Sequence, residues 1–540
     1  MKVFQKRISL FLAILLTLST LMVVPFTASA EETATKDWYK EDAKVLEVGS
    51  YADLLAFAEN AASITANQTV LLTADINMAG KTWTPISTFS GNIDGDGHTL
   101  NGLTVSSTSH CGFIIDLKGS VEITNIAFTN ANVNTSSTSA MVGVVAARVN
   151  QADSNVTFEN VYVHGAVGKG YSGGFIGQIG TASVVNFNKC VSNVTIDANA
   201  AQRNGGFVAI PNVNGITINM TDCAYIGPAI PGRYSAGLIG YSKVATLNLT
   251  RCVVAASYSN TAANGNSGQL FSQIAGATAI GLVDCYVLSD TLNLFWAQAT
   301  TSNGTKYYVS GKMTAKYGSA VATTIHESGN FSDGAVDELA ALKTVMTNNN
   351  AFLVSGDTVN LTKAEWDKAD SKYKALKDAG WVMTGRTVEY ATGKTVPEIM
   401  PATVAAMISS PMTISYWQVK AGTTNDFRFV SKINFDALYA YDAVGYEVTV
   451  KVQGADKNLV DAQQVSTTTV YTSITTNEGT KTAAELEAKY LVALSINGFK
   501  TADTTYEVTI VTFVKCGDTI IRDYDNALTG TITGNTFTKA

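Results

Sequence analysis

Gly174-Phe175-Ile176-Gly177 and Gly206-Phe207-Val208-Ala209 are two copies of a phrase that recurs six times, a small residue followed by bulky apolar ones. The other copies are Gly112-Phe113-Ile114, Ala140-Met141-Val142-Gly143, Gly237-Leu238-Ile239-Gly240 and Gln269-Leu270-Phe271-Ser272. Their central apolar residues, from Phe113 to Leu270, fall 28, 34, 32, 31 and 32 positions apart. A second phrase keeps step: Val121-x-Ile123-x-x-Ile126, Val156-x-Phe158-x-x-Val161, Val185-x-Phe187-x-x-Cys190, Ile218-x-Met220-x-x-Cys223, Leu247-x-Leu249-x-x-Cys252 and Ile280-x-Leu282-x-x-Cys285. One such unit cannot bury its apolar face alone, and stacking its neighbours makes a continuous core, so two registers at one period specify a solenoid. The apolar runs are short and alternating, and the loops are rich in Asn, Ser, Thr and Gly, which makes the stacked elements strands.

At 540 residues the chain is too long for one ordinary core. Residues 1–30 read as a secretory signal peptide: Lys2, Lys6 and Arg7, an apolar run from Leu10 to Val24, then Ala28-Ser29-Ala30. The expectation is a chain exported to the extracellular space, free or associated with the cell surface, with no transmembrane segment after signal cleavage. Removing those three basic residues from 37 leaves 34 Lys+Arg against 44 Asp+Glu, a net charge of −10, which argues against nucleic acid as partner.

A nearby stretch carries a family resemblance. Val70-Leu71-Leu72-Thr73-Ala74-Asp75-Ile76-Asn77-Met78, Trp83-Thr84-Pro85-Ile86 and Phe89-Ser90-Gly91-Asn92-Ile93-Asp94-Gly95-Asp96-Gly97-His98-Thr99-Leu100-Asn101-Gly102-Leu103 resemble the opening of secreted bacterial GLUG-motif proteins, whose repeats are similar to the phrases above. The resemblance covers roughly 50–330 and implies a right-handed parallel β-helix of the pectin-lyase-like type. Members include adhesin-like surface proteins and regions attached to proteases, so it implies the fold more than an activity.

Cys190, Cys223, Cys252 and Cys285 occupy one place in four consecutive repeats. Stacked side chains point the same way, so the reading is a buried column of thiols rather than disulfides, and four ligands in a line cannot surround a zinc ion. The preceding position reads Asn125, Asn160, Lys189, Asp222, Arg251, Asp284. Asn at a recurring turn suggests left-handed backbone. The last four alternate in sign, and are expected to form a surface ladder worth a few tenths of a kcal/mol per contact.

The expected organisation is a signal peptide at 1–30, an N-terminal linker at 31–49, the β-helix at 50–330, a helical cap and closing segment at 331–400, a linker at 401–412 and a β-sandwich at 413–540. Residues 50–64 read as a helix covering one open end, and 362–378 as another, with Thr362-x-x-Glu365 as capping box and Gly380 as stop. Strands are expected at 427–430, 444–450, 469–474, 506–513 and 519–523. The last domain resembles accessory domains at the C-termini of secreted Firmicute proteins.

Bond breaking by a pectin-lyase-like β-helix needs clustered carboxylates, with calcium and a base for a lyase or paired Asp for a hydrolase. Asp153, Glu159, Asp197, Asp222, Asp284 and Asp290 do not cluster in the sequence. Asp94-Gly95-Asp96-Gly97-His98 is a weak candidate for a calcium site at Asp94 and Asp96, and reads better as a tight turn; no other cofactor is implied. His110, His164 and His326 are scattered. Sugar rings stack on aromatic faces, which makes Tyr171, Tyr234, Tyr241 and Trp296 the candidate ligand-binding residues, with Trp38, Tyr39 and Trp417 as further platforms. The leading expectation is an exported non-catalytic protein of a Gram-positive cell, serving adhesion or binding to an extracellular glycan or cell-envelope polymer. The alternatives are a polysaccharide lyase or glycoside hydrolase and a structural envelope module.

Overall fold

The computed structural model describes residues 34–197, 202–232, 234–242, 245–256, 270–272 and 280–288, short strands between 299 and 359, and 361–540 with short breaks. The expected leader and Trp296 lie outside the described residues.

The repeats build a parallel β-helix. In each coil the second phrase supplies a strand that bends at the residue before the Ile/Val/Cys column and continues onto a second face. Ser183–Asn188 and Val191–Ile196 form one such pair, stacked in register on Ser154–Val167. The first phrase supplies a separate parallel sheet of five strands, Ile86–Phe89, Ile114–Leu117, Ala146–Val149, Ile176–Ile179 and Val208–Pro211. Inward residues of all faces form one core, with Phe158, Phe175, Phe187 and Phe207 stacked or edge-on at 4.7–5.6 Å between ring centroids.

The bend is left-handed at every copy: φ is 51° at Asn125, 52° at Asn160, 49° at Lys189, 54° at Asp222, 47° at Arg251 and 49° at Asp284. Outward asparagines on the preceding strand join the coils, with Asn248 Nδ2 donating to Asn219 at 2.9 Å and Asn219 Nδ2 to Asn186 at 2.8 Å. The column cysteines are buried and free. Each thiol donates to a backbone carbonyl one coil back, as from Cys223 to Phe187 at 3.3 Å.

The β-helix begins ahead of its expected first residue. Val45–Val48 pairs in parallel with Thr69–Leu72, so strand pairing enters the stretch expected as a linker. Met313–Lys316 pairs with Ile280–Val283, a further parallel strand within the expected 50–330 span. Helix α1, Tyr51–Asn60, starts on a Ser50 cap and buries Leu54, Ala56 and Phe57 against the first coils.

The C-terminal region lies against the flank of the β-helix. Helices α2 (Lys363–Asp367) and α3 (Lys374–Asp378) lead into an antiparallel hairpin, Trp381–Ala391 with Lys394–Pro401. Helix α4, Ala402–Ser409, fills the stretch expected as a linker, because 401–406 is buried and packs on Ser120–Thr135 and Ser154–Val167. Beyond it are a three-stranded antiparallel sheet, Met412–Lys420, Asn425–Ile433 and Tyr490–Phe499, and a second one built on Ala443–Val452, Thr505–Cys516 and Thr519–Thr533. Phe429 meets Tyr446 edge-on at 4.7 Å between the two, a sandwich-like core.

The position after the column explains this docking. Ala127, Tyr162, Val191, Ala224, Val253 and Tyr286 face outward, all apolar and buried, in one cluster with Trp366, Tyr373, Trp381 and Ala402. The expected surface charge ladder therefore needs correction. Asp222 receives Arg251 at 2.7 and 2.8 Å and the buried indole N–H of Trp381 at 2.9 Å, and its side chain is 7% exposed. It anchors the C-terminal region instead of standing in solvent. Asn160 likewise accepts from Thr403 Oγ1 at 2.5 Å.

Candidate binding site

The corner between the second face and the five-stranded sheet holds the candidate site. Parallel bridges link Cys111 to Val142, Gly173 to Gly205 and Gly205 to Ala236, and Met141–Gly143 pairs with Tyr171–Gly173. Counting back from those bridges, His110, Met141, Tyr171, Arg203 and Tyr234 occupy the same slot of five successive coils. All five are half-buried. The next slot, Cys111, Val142, Ser172, Asn204 and Ser235, is fully buried and fixes the corner. Asn204 Oδ1 accepts from the Ser172 amide at 3.0 Å, and the Ser172 and Ser235 hydroxyls donate to the carbonyls of Gly168 at 2.7 Å and Pro231 at 2.9 Å.

Tyr241 reaches this slot from the other arm of the corner. A Cβ on Gly240 would stand 2.6 Å from the Asn204 carbonyl oxygen, so glycine is what allows the arms to close. The Tyr241 ring then meets Tyr234 edge-on at 5.8 Å, and the Arg203 guanidinium lies 4.4 Å from the centre of Tyr241 and 6.0 Å from that of Tyr234. Arg203 and Tyr234 have φ of 76° and 60°. For large side chains this conformation costs of order 1–3 kcal/mol and persists where the surroundings impose it, commonly at ligand sites. Two residues before Tyr171, Lys169 borders a cleft of about 630 Å³ walled by Ser106, Ser107, Thr108, Asn134, Thr135 and Ser136.

Three of the four sequence candidates, Tyr171, Tyr234 and Tyr241, are thus on one corner, while Trp296 lies outside the described residues. Trp38 and Tyr39 pack against the first coils, with Trp38 Nε1 donating to Glu47 O at 2.5 Å. Trp417 packs on Phe537. Arg203 and Lys169 were missed by the sequence reading. The signal for Arg203 was its place midway between Tyr171 and Tyr234 in the repeat.

The calcium candidates are engaged otherwise. Asp94 accepts from Asn125 Nδ2 at 3.1 Å and from the Asp96 amide at 3.0 Å. Asp96 accepts Arg522 at 2.8 Å, and Arg522 also binds Glu447 at 2.9 Å, so these two carboxylates share a guanidinium where the C-terminal region docks. Burial raises the Asp96 pKa, against the Arg522 charge. Asp116 is held bidentate by Arg148, both bonds at 2.8 Å. Among the described residues no group of three His, Cys, Asp or Glu is placed to hold a metal ion. Nor do the histidines combine: His98 Nδ1 faces Asp75 at 3.2 Å, and Nδ1 of His110 and of His164 accepts the amides of Met141 at 2.9 Å and Asn130 at 3.3 Å.

No protein-family model matches the chain, and no curated protein matches it either. Among solved structures, a candidate immunoglobulin A1 protease of Bacteroides ovatus is similar at 16% identity, over 56% of this chain and 88% of that one, with a TM-score of 0.32. At that score the likeness carries no functional inference. Among the described residues no helix is long and apolar enough to cross a membrane.

Proposed function

We propose that this chain is an exported, non-catalytic glycan-binding protein of the cell surface, and that it holds glycan along the corner formed by Tyr171, Arg203, Tyr234 and Tyr241. One observation carries the reading: Tyr234 and Tyr241 meet around the Arg203 guanidinium, Arg203 and Tyr234 on left-handed backbone, with Tyr171 in the same slot one coil back. Half-exposed tyrosine rings offer flat apolar faces to the C–H faces of a sugar and a hydroxyl to its rim. Successive slots are spaced by about 4.8 Å, the distance between stacked strands, so neighbouring slots act together on one saccharide.

The lyase or hydrolase reading has less support, since the carboxylates that the fold draws together are engaged by arginines at the docking seam. The test is a glycan array with the full chain, followed by titration of the best ligand against Tyr234→Ala and Tyr241→Ala. Each substitution is expected to weaken binding about tenfold, since stacking on a ring is worth on the order of 1–2 kcal/mol. Release of reducing ends or unsaturated uronate would replace this reading with the enzymatic one. Unchanged affinity in both variants would remove the corner from it.

A further inference from the structure

Every other arginine whose partner the β-helix and its docking seam display meets a carboxylate: Arg148 with Asp116, Arg251 with Asp222, Arg386 with Glu398, Arg522 with Asp96 and Glu447. Arg203 meets aromatic rings instead. Stacking uses the faces of a guanidinium and leaves its N–H edge, a fork that matches a carboxylate. Lys169 stands on the same edge, one coil back and two residues ahead of the slot, beside a cleft walled by hydroxyls and the Asn134 amide. No hydrogen bond or ion pair joins it to the described residues, and Asp197, in register one coil on from Gly168, has a partner of its own. In a chain with net charge −7, two cations on one edge that meet no carboxylate among the described residues mark a local positive site.

We infer that the ligand is an acidic polysaccharide: Arg203 takes a sugar carboxylate, the tyrosines take the faces of the adjoining rings, and Lys169 with the hydroxyl cleft takes the next acidic residue or its hydroxyls. This rests on the glycan reading and narrows it to uronic-acid-type sugars. The cleft and the slot adjoin, so a chain that crosses both spans at least two sugar units.

The experiment uses the full chain and matched polymers, polygalacturonate and hyaluronan with their carboxyl-reduced forms, titrated at low and high salt. The acidic forms are expected to bind about tenfold more tightly than the reduced ones, with the difference shrinking as salt rises. Lys169→Gln and Arg203→Gln are expected to lower affinity for the acidic form about tenfold each and so to narrow its advantage over the reduced form. The Lys169 side chain is itself half-exposed, so its variant tests the idea even if Arg203→Gln destabilises the corner. Equal binding of acidic and reduced polymers overturns the acidic assignment and leaves glycan binding standing. Binding to neither form of either polymer overturns the assignment, while the array reports separately on glycan binding.

Discussion

Replacing Asp222 with alanine tests whether the C-terminal region is locked to the β-helix. Three things are lost. The Trp381 indole, fully buried, keeps an N–H without an acceptor, which costs about 1–3 kcal/mol. Arg251 loses a bidentate partner, but its side chain is 27% exposed and water replaces much of it, so this contributes about 1 kcal/mol. Alanine at φ 54° adds roughly 1 kcal/mol of backbone strain. The expected destabilisation is about 3–5 kcal/mol, a fall of order 10 °C in melting temperature for a unit of this size. Asp222→Asn keeps an acceptor for Trp381 and tolerates the left-handed turn, so its loss is about 1–2 kcal/mol. Thermal and urea unfolding of the full chain, followed by near-ultraviolet circular dichroism, measures both. A cycle with Trp381→Phe, which keeps most of the ring and removes the N–H, should return a coupling of about 1–2 kcal/mol. A melting temperature for Asp222→Ala within 2 °C of the parent, or a coupling near zero, would show that the indole and carboxylate do not depend on one another and refute the lock.

Two further outcomes follow from burial. Burial pushes the Cys111 thiol up to about 12 and those of Cys223 and Cys252 well above the ordinary thiol value, and Cys190 and Cys285 are buried in the same column, so alkylation by iodoacetamide at pH 8 should spare Cys111, Cys190, Cys223, Cys252 and Cys285 in the folded chain and reach all of them in urea; mass spectrometry showing rapid native labelling of the column would contradict its packing. Burial also lowers the pKa of His110 and His164, whose Nδ1 atoms accept backbone amides. With folded values below the unfolded one near 6.5, the unfolded chain binds more protons in that window. Their contribution is complete above about pH 6.5 and is lost as pH falls through the lowered folded values, so the melting temperature should drop between about pH 7 and pH 5. His110→Asn, which retains an acceptor, should flatten the drop, and an equally steep profile in that variant would assign it to other groups.

Repeats make visible in a sequence what successive coils share, and hide what each coil does differently. Asn125 and Asn160 pointed to a left-handed turn, and Lys189, Asp222, Arg251 and Asp284 adopt it too because stacking imposes the bend on whatever side chain occupies it. The thiol column was legible for the same reason. The docking seam was not, although its trace was present: Ala127, Tyr162, Val191, Ala224, Val253 and Tyr286 sit where strand alternation calls for polar residues, and six apolar residues facing outward require a cover. Their partners lie hundreds of residues away, as with Asp96 and Arg522, 426 apart, beyond any local pattern. The binding slot shows the converse. Its inner neighbour, Cys111, Val142, Ser172, Asn204 or Ser235, stays buried in all five of these coils, whereas the slot itself runs His110, Met141, Tyr171, Arg203, Tyr234. A solenoid needs the inner position for its core and leaves the outer one free to vary. Function in such a chain therefore belongs at outer slots where variation produces a coherent chemistry across adjacent coils, and a guanidinium flanked by tyrosines one coil to either side meets that condition.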